Sequence, residues 1–151
     1  MKLALFITLD NTLITTISKR PYAIHSEDWK FTDNILDIIK SYYDKGYKIC
    51  IVCNQLQVLQ GLTTSKAFLK KIEDITNTLE KHLKIKKNSI CFNYCFESNT
   101  YRSLPNPGLV YELACEYDLD IINSTFIGSS YDDRQIINTT GIKTYFDITD
   151  I

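Results

Sequence analysis

Four short stretches of the 151-residue chain place hydroxyl, thiol, amide and carboxylate side chains at or just beyond the ends of apolar runs. The first is Thr8-Leu9-Asp10-Asn11-Thr12, directly after Leu3 to Ile7. Residues two apart on an extended strand share a face, so Thr8 and Asp10 point the same way. A hydroxyl is protonated at neutral pH and attacks only with a base beside it, and Asp10 is the candidate base for Thr8. The second stretch is Cys53-Asn54, the third runs from Tyr101 to Leu109 through Leu104, and the fourth is Gly128-Ser129-Ser130-Tyr131-Asp132-Asp133.

Such groups act together only if the fold brings them to one edge, and the apolar pattern supplies the elements. Leu3 to Leu9 reads as a buried parallel strand. Thr32 or Asp33 is placed to cap a helix with an apolar face of Ile35, Leu36, Ile38, Ile39, Tyr42 and Tyr43, ended by Gly46. Tyr47 to Cys53 is a second strand. Thr63, Thr64 or Ser65 opens a helix whose stripe is Phe68, Leu69, Ile72, Ile75, Leu79 and Leu83. Ile90 to Phe96 is a third strand. Asn106-Pro107 has the form of a helix start, with Asn as cap and Pro in the first turn. Thr125 to Gly128 is a fourth strand, a short helix runs from about Asp132 to Gly141, and Ile142 to Phe146 is a fifth strand. Strands alternating with helices imply a three-layer α/β/α, doubly wound parallel sheet of about five strands in a single domain, 1–151. Sites in such folds lie at the C-terminal strand ends, where the four stretches fall.

The totals narrow the functional classes. A net charge of -1 gives no global attraction to nucleic acid. The basic stretch Lys81 to Lys87 is interleaved with Leu83 and Ile85 and reads as a solvated helix end. No apolar run approaches the ~20 residues of a membrane helix. The chain start reads as a strand rather than an export signal, so an intracellular setting (cytoplasmic or nuclear) with reduced cysteines is expected. Cys50 and Cys53 fall on opposite faces of their strand, which disfavours a shared metal. His25 and His82 fit no catalytic spacing and read as surface residues. Tyr22, Trp29, Tyr94 and Tyr101 flank the strand ends and are the aromatic candidates for base stacking.

In order and position, the four stretches resemble the haloacid-dehalogenase-like (HAD) phosphatase superfamily, closest to its polynucleotide 3'-phosphatase and histidinol-phosphate phosphatase branch. The D-x-D-x-T motif of that family is matched by Thr8-Leu9-Asp10-Asn11-Thr12, and its hydroxyl-Asn-Gln motif by Cys53-Asn54-Gln55. Its R-K-P-x-x-G-M motif is echoed by Arg102-Ser103-Leu104-Pro105-Asn106-Pro107-Gly108-Leu109, and G-D-S-x-x-D by Gly128 to Asp133. Ser26-Glu27-Asp28-Trp29 and Asp44 to Lys48 also look like stretches of polynucleotide phosphatases. The resemblance implies a HAD-like Rossmannoid fold without a large cap domain and with a squiggle-and-flap crossover over about residues 11–31.

The resemblance also assigns roles, and several are vacated. The nucleophile and Mg²⁺ ligand position holds Thr8, and the other main Mg²⁺ carboxylate position holds Ser129. The phosphate-binding hydroxyl is Cys53, and the phosphate-neutralising Lys is Leu104, or Ser103 if one residue is inserted. Asp10, Thr12, Asn54 and Asp133 remain, with Asp10 at the general acid/base position. Replacing one preorganised donor or charge costs roughly 10²–10³ in rate, and Mg²⁺ prefers anionic oxygens. The expectation is therefore a catalytically inactive pseudophosphatase, a pseudoenzyme used as a binding or regulatory module, with no cofactor and a degenerate Mg²⁺ site at Thr8, Asp10, Ser129 and Asp133. Asp10 and Thr12 would then only tie down their loop. The alternative is an active phosphatase with an atypical site, such as a polynucleotide 3'-phosphatase, using Mg²⁺. A receiver-like domain is a third possibility that strand order would separate. Family members without a large cap tend to accept macromolecular substrates, so the resemblance implies a protein or nucleic-acid partner. The richness in Ile, Asn and Lys fits an AT-rich genome, such as that of a large DNA virus or a parasite.

Overall fold

The computed structural model describes residues 1–23 and 25–151. In chain order the elements are β1 (Ala4–Thr8), a small hairpin of β2 (Ile14–Thr15) and β3 (Lys30–Phe31), α1 (Ile35–Asp44), β4 (Lys48–Asn54), α2 (Leu56–Leu59), α3 (Ser65–Leu83) and β5 (Ile90–Cys95). They continue with α4 (Gly108–Tyr117), β6 (Thr125–Gly128), α5 (Tyr131–Arg134), α6 (Ile136–Thr140), β7 (Thr144–Asp147) and a 3-10 turn, Ile148–Asp150. The main sheet has five strands in the order β5-β4-β1-β6-β7, every neighbouring pair parallel. Counted along the chain, its strands lie third, second, first, fourth, fifth. A receiver-type sheet runs second, first, third, fourth, fifth, so that reading is excluded.

Alternation along the strands divides the core. Leu5, Ile7, Ile49 and Ile51 face α1 and α3 on one side. Ala4, Phe6, Val52 and Phe126 face α4 and α6 on the other. Each fully buried Leu, Ile or Phe contributes about 1.5–3 kcal/mol, and the central strand β1 is buried along its whole length. Cys50 and Cys53 fall in different clusters, as a spacing of three requires, and all five cysteines are free. The hairpin β2–β3 occupies the crossover expected to carry a flap.

Several boundaries differ from expectation for local reasons. α1 has no side-chain cap, because Asn34 is left-handed and the Ile35 amide bonds the Thr32 carbonyl at 3.3 Å instead. Asn106 does not cap α4, since its side-chain amide donates to the Thr100 carbonyl at 2.7 Å. The helix expected from Asp132 is two short helices, α5 and α6, with left-handed Gly141 at the end. The last strand starts at Thr144 rather than Ile142, because the Ile142 amide bonds Thr140 Oγ1 and the Lys143 amide bonds the Ile122 carbonyl. On α3, Leu69 is 42% exposed while Lys71 is 3% exposed, so Lys71 and not Leu69 belongs to the buried stripe. Thr64 caps that helix, its hydroxyl accepting from the Ala67 amide at 3.1 Å.

Candidate active site

The C-terminal ends of β1, β4 and β6 and the loop before α4 surround a cleft of about 160 Å³. Its walls include Thr8, Asp10, Cys53, Asn54, Leu104, Ser129 and Asp133. It borders a hollow of about 340 Å³ that shares Asn54 and Leu104 and adds Ser98, Asn99, Asn106 and Asp132. A larger apolar hollow of about 490 Å³ lies between α1 and the last residues, near Tyr42 and Phe146, and holds none of the candidate residues. Size and chemistry thus point to different places, and convergent polar groups are the better guide to a site.

Beyond β1 the chain turns sharply. The Leu13 and Ile14 amides both bond the Leu9 carbonyl, at 3.0 and 3.1 Å, and Asn11 adopts φ 63°. This turn folds the fully buried Thr12 back against Thr8. Thr8 Oγ1 and Thr12 Oγ1 lie 2.6 Å apart, and Thr12 Oγ1 donates to Ser129 Oγ at 2.9 Å. Thr8 Oγ1 donates to Asp133 Oδ2 at 2.9 Å, and the Ser129 amide donates to the same oxygen at 2.9 Å. Thr8, Thr12, Ser129 and Asp133 therefore form one closed network. Thr8 and Thr12 bring two hydroxyl protons to three side-chain contacts. With Thr8 serving Asp133, Thr12 serves either Thr8 or Ser129 unless the Ser129 hydroxyl turns to donate into it.

Asp133 is held by its own helix start. Ser130 caps α5 by accepting from the Asp133 amide at 3.0 Å. Gly128 permits this approach: a Cβ there would lie 2.5 Å from Asp133 Cβ and 2.7 Å from the Tyr145 hydroxyl. Tyr145 was not a sequence candidate, and nothing in its local pattern marks it. Its hydroxyl is buried without a partner among the described residues, and burial, then the Asp133 charge, push its pKa up to about 12.

The carboxylate that accepts from Thr8 is thus Asp133, not Asp10. Asp10 lines the cleft, but its carboxylate makes no hydrogen bond to a described residue, and Thr12 bonds the Thr8 and Ser129 hydroxyls rather than loop backbone, so neither ties down the loop in the way expected. Burial pushes the Asp10 carboxyl above its ordinary range, partly offset by the positive charge of Lys71. Cys53 is buried, and burial pushes its thiol far up, which leaves a neutral, weak donor. Asn54 is turned to the backbone of Leu104: Nδ2 donates to its carbonyl and Oδ1 accepts from its amide, both at 2.8 Å. Ser103 is spent on Thr100, accepting from its amide at 2.8 Å and donating to its carbonyl at 2.9 Å. Leu104 is therefore the residue that faces the cleft. Arg102 points to Glu112, at 2.7 Å, and to Asn93 and the Tyr94 carbonyl, clamping β5 to α4.

The remaining candidates are dispersed. His25 and His82 are exposed. Trp29 packs edge-on against Phe31, and Tyr94 belongs to an aromatic cluster with Phe68, Phe92 and Phe96. Tyr22 is half-buried, while Tyr101 is 61% exposed. Among the described residues no helix is long and apolar enough to cross a membrane.

The donor set can be tested against Mg²⁺. The described residues hold no group of three or more His, Cys, Asp or Glu suited to a metal. The cleft offers two carboxylates, Asp10 with no hydrogen bond to a described residue and Asp133 with one oxygen engaged twice, plus neutral hydroxyls. Mg²⁺ is commonly held through one or two carboxylates together with substrate phosphate oxygens and water. The residues fit a Mg²⁺ taken jointly with a phosphate, and not a dedicated protein cage.

A parallel sheet in this order, a flap after the first strand and polar groups at four strand ends define the HAD-like class of α/β domains. The comparisons agree. The chain belongs to the Polynucleotide kinase 3 phosphatase family, whose model matches residues 2–151. It is 30% identical over 115 residues to D-glycero-beta-D-manno-heptose-1,7-bisphosphate 7-phosphatase of Helicobacter pylori (strain J99), covering 76% of this chain and 66% of that protein. The chain thus spans about two thirds of that relative's length. A D,D-heptose 1,7-bisphosphate phosphatase from B. bronchiseptica, solved with magnesium and phosphate, superposes with TM-score 0.76 at 17% identity, over 95% of this chain and 79% of that one. A HAD-like protein of Mesorhizobium loti gives TM-score 0.83 at 18% identity, over 95% and 71%.

Proposed function

We propose that the cleft takes a phosphomonoester and that the chain hydrolyses it, in keeping with its phosphatase family. The observation that carries this reading is the Thr8 hydroxyl donating to the Asp133 carboxylate at the end of β1, with Asp10 beside it in the same cleft. It is a hydroxyl–base pair at the place where the family attacks phosphorus. The relatives' names, which are those of sugar-phosphate phosphatases, support hydrolysis over the expected loss of activity. The family itself and the hollow running on past Asn54 favour a phosphate carried at the end of a larger chain, such as a polynucleotide 3' end. A Mg²⁺ held by Asp10 and Asp133 would neutralise charge on the phosphate.

One observation favours a second reading, occupancy without turnover. The positions of two carboxylates are filled by Thr8 and Ser129, whose hydroxyls sit in a closed network with Thr12 and Asp133, and Leu104 brings no charge. In that case the domain recognises a phosphorylated partner and leaves it intact. Phosphate release from a 3'-phosphorylated oligonucleotide, a heptose bisphosphate and an aryl phosphate, with and without Mg²⁺, separates the two. Turnover that Asp10→Asn abolishes establishes the hydrolase. Phosphate binding with no release above that variant establishes the second reading.

A further inference from the structure

Cys50 on β4 and Cys91 on β5 are register partners in the parallel sheet. Neighbouring strands lie about 4.7–4.9 Å apart, inside the roughly 4.4–6.8 Å between Cα atoms that a disulfide spans. Both side chains belong to the core cluster packed on α4, so the two thiols stand on the same face of the sheet, and both are free. No other cysteine repeats this arrangement. Cys53 stands opposite Tyr94 and joins the core on the other face, Cys95 stands opposite Asn54, and Cys115 is exposed on α4.

Two side chains at the rim of the sheet complete the group. Lys48 stands two residues before Cys50 on β4 and so shares its face. Its Nζ lies 4.6 Å from the ring centroid of Tyr117, in the last turn of α4. Cys91 is only 4% exposed, but β5 is an edge strand with no neighbour beyond it, and Tyr117 is 37% exposed. The hydrogen bond with Cys50 pulls the Cys91 thiol below its ordinary range against the effect of burial, and Tyr117 and Lys48 act in the same direction as that bond. The same bond, and then burial, push the Cys50 thiol up. The pair therefore holds one thiol that ionises readily and one that stays protonated beside it. A thiolate is the form that attacks an oxidant, and a neighbouring thiol then closes the disulfide.

We propose that Cys50 and Cys91 are a redox-active dithiol, a modification site for hydrogen peroxide that lies toward the N-terminal ends of β4 and β5, away from the cleft. The Cys91 thiolate attacks one oxygen of the peroxide, the O–O bond breaks, and the hydroxide that leaves takes up a proton to become water. Cys91 is then a sulfenic acid. The Cys50 sulfur attacks the Cys91 sulfur, the S–O bond breaks, and the Cys50 proton leaves with the oxygen as a second water. The two thiols are oxidised to one disulfide and the peroxide is reduced to water. The bond joins the edge strand β5 covalently to β4. The site is independent of the phosphomonoester reading.

The test exposes the native full chain to hydrogen peroxide, blocks the remaining thiols with iodoacetamide in denaturant, and maps the peptides by mass spectrometry with and without dithiothreitol. The expected result is that Cys50 and Cys91 leave the pool of five free thiols together, in one linked peptide pair that dithiothreitol separates. In Cys50→Ala the second sulfur is gone, and Cys91 should stop at the sulfenic acid, where dimedone traps it. Cys50 and Cys91 both still alkylated after peroxide overturns the inference. So does Cys91 oxidised with Cys50 still alkylated, or a bond from either to a different cysteine. The unaltered chain decides even if Cys50→Ala does not fold.

Discussion

Thr8 Oγ1 donates a hydrogen bond to Asp133 Oδ2 at 2.9 Å, across 125 residues of sequence. The bond fastens the end of β1 to the start of α5, and it converts a place for opposed charges into one of shared protons. A hydrogen bond to a charged group contributes about 1.5–3 kcal/mol net. Thr8→Val should therefore lower stability by about 1–3 kcal/mol, because Asp133 and Thr12 both lose a partner. Thr8→Ser keeps the hydroxyl and should stay within about 1 kcal/mol of the unaltered chain. Urea denaturation at pH 7 measures both, and equal losses would mean that packing of the Thr8 methyl, not the hydroxyl, matters.

Restoring carboxylates tests the metal site. Thr8→Asp with Ser129→Asp should gain Mg²⁺ affinity, seen as a melting temperature raised by roughly 5 °C at saturating Mg²⁺ against little shift for the unaltered chain. Turnover should remain low, because Leu104 still brings no charge to the phosphate. Phosphate release at the level of an ordinary phosphatase from these two changes alone would show that a cation at position 104 is dispensable.

Asp10 gives a pH dependence of definite sign. Burial raises its folded-state pKa, so the folded protein binds that proton more tightly than the unfolded chain does. Stability from this group is present below the ordinary carboxylate pKa and is lost as pH rises through the raised value. Asp10→Asn should thus be more stable than the unaltered chain at pH 7, and the advantage should shrink toward zero near pH 3.8, the ordinary value. Melting temperatures of the two proteins between pH 4 and 8 provide the check. A variant less stable at pH 7 would mean that the carboxylate is held by favourable contacts instead.

The amide of Asn54 is predicted to act as a clamp. Asn54→Ala removes both bonds to the Leu104 backbone and should cost about 1–3 kcal/mol. Hydrogen exchange at the Leu104 amide should speed up more than at any amide of β1. Unchanged protection would show that the loop before α4 is held by Ser103 and Asn106 alone.

The sheet was legible because continuous apolar runs and punctuating residues are local signals, and Gly46 and Gly141 stand at left-handed positions that favour glycine. The four strand ends were legible as one site because parallel topology forces them together. What escaped was set by contacts between distant residues. Spacing alone paired Thr8 with Asp10, but the turn after β1 swings Thr12 under Thr8, and Asp133 arrives from the other end of the chain. Asn106 reads as a cap until the Thr100 carbonyl takes its amide. Lys71 was missed although the signal existed: three residues after Phe68 and four before Ile75, it lies nearer the apolar stripe than Leu69 does. Charge made the residue look like surface.

The closeness that Gly128 allows limits how much charge the site can take up. Asp133 sits over the end of β6 with its Oδ2 already shared by Thr8 and the Ser129 amide. A lone change of Thr8 to a carboxylate would set two anions at hydrogen-bond distance with no ion between them. Such a pair could not stay fully ionised at neutral pH, since a like charge so close raises the pKa of one carboxyl group. The hydroxyl network therefore works as a keyed slot: it holds the one carboxylate of Asp133, and a second ionised carboxylate beside it needs a cation between the two.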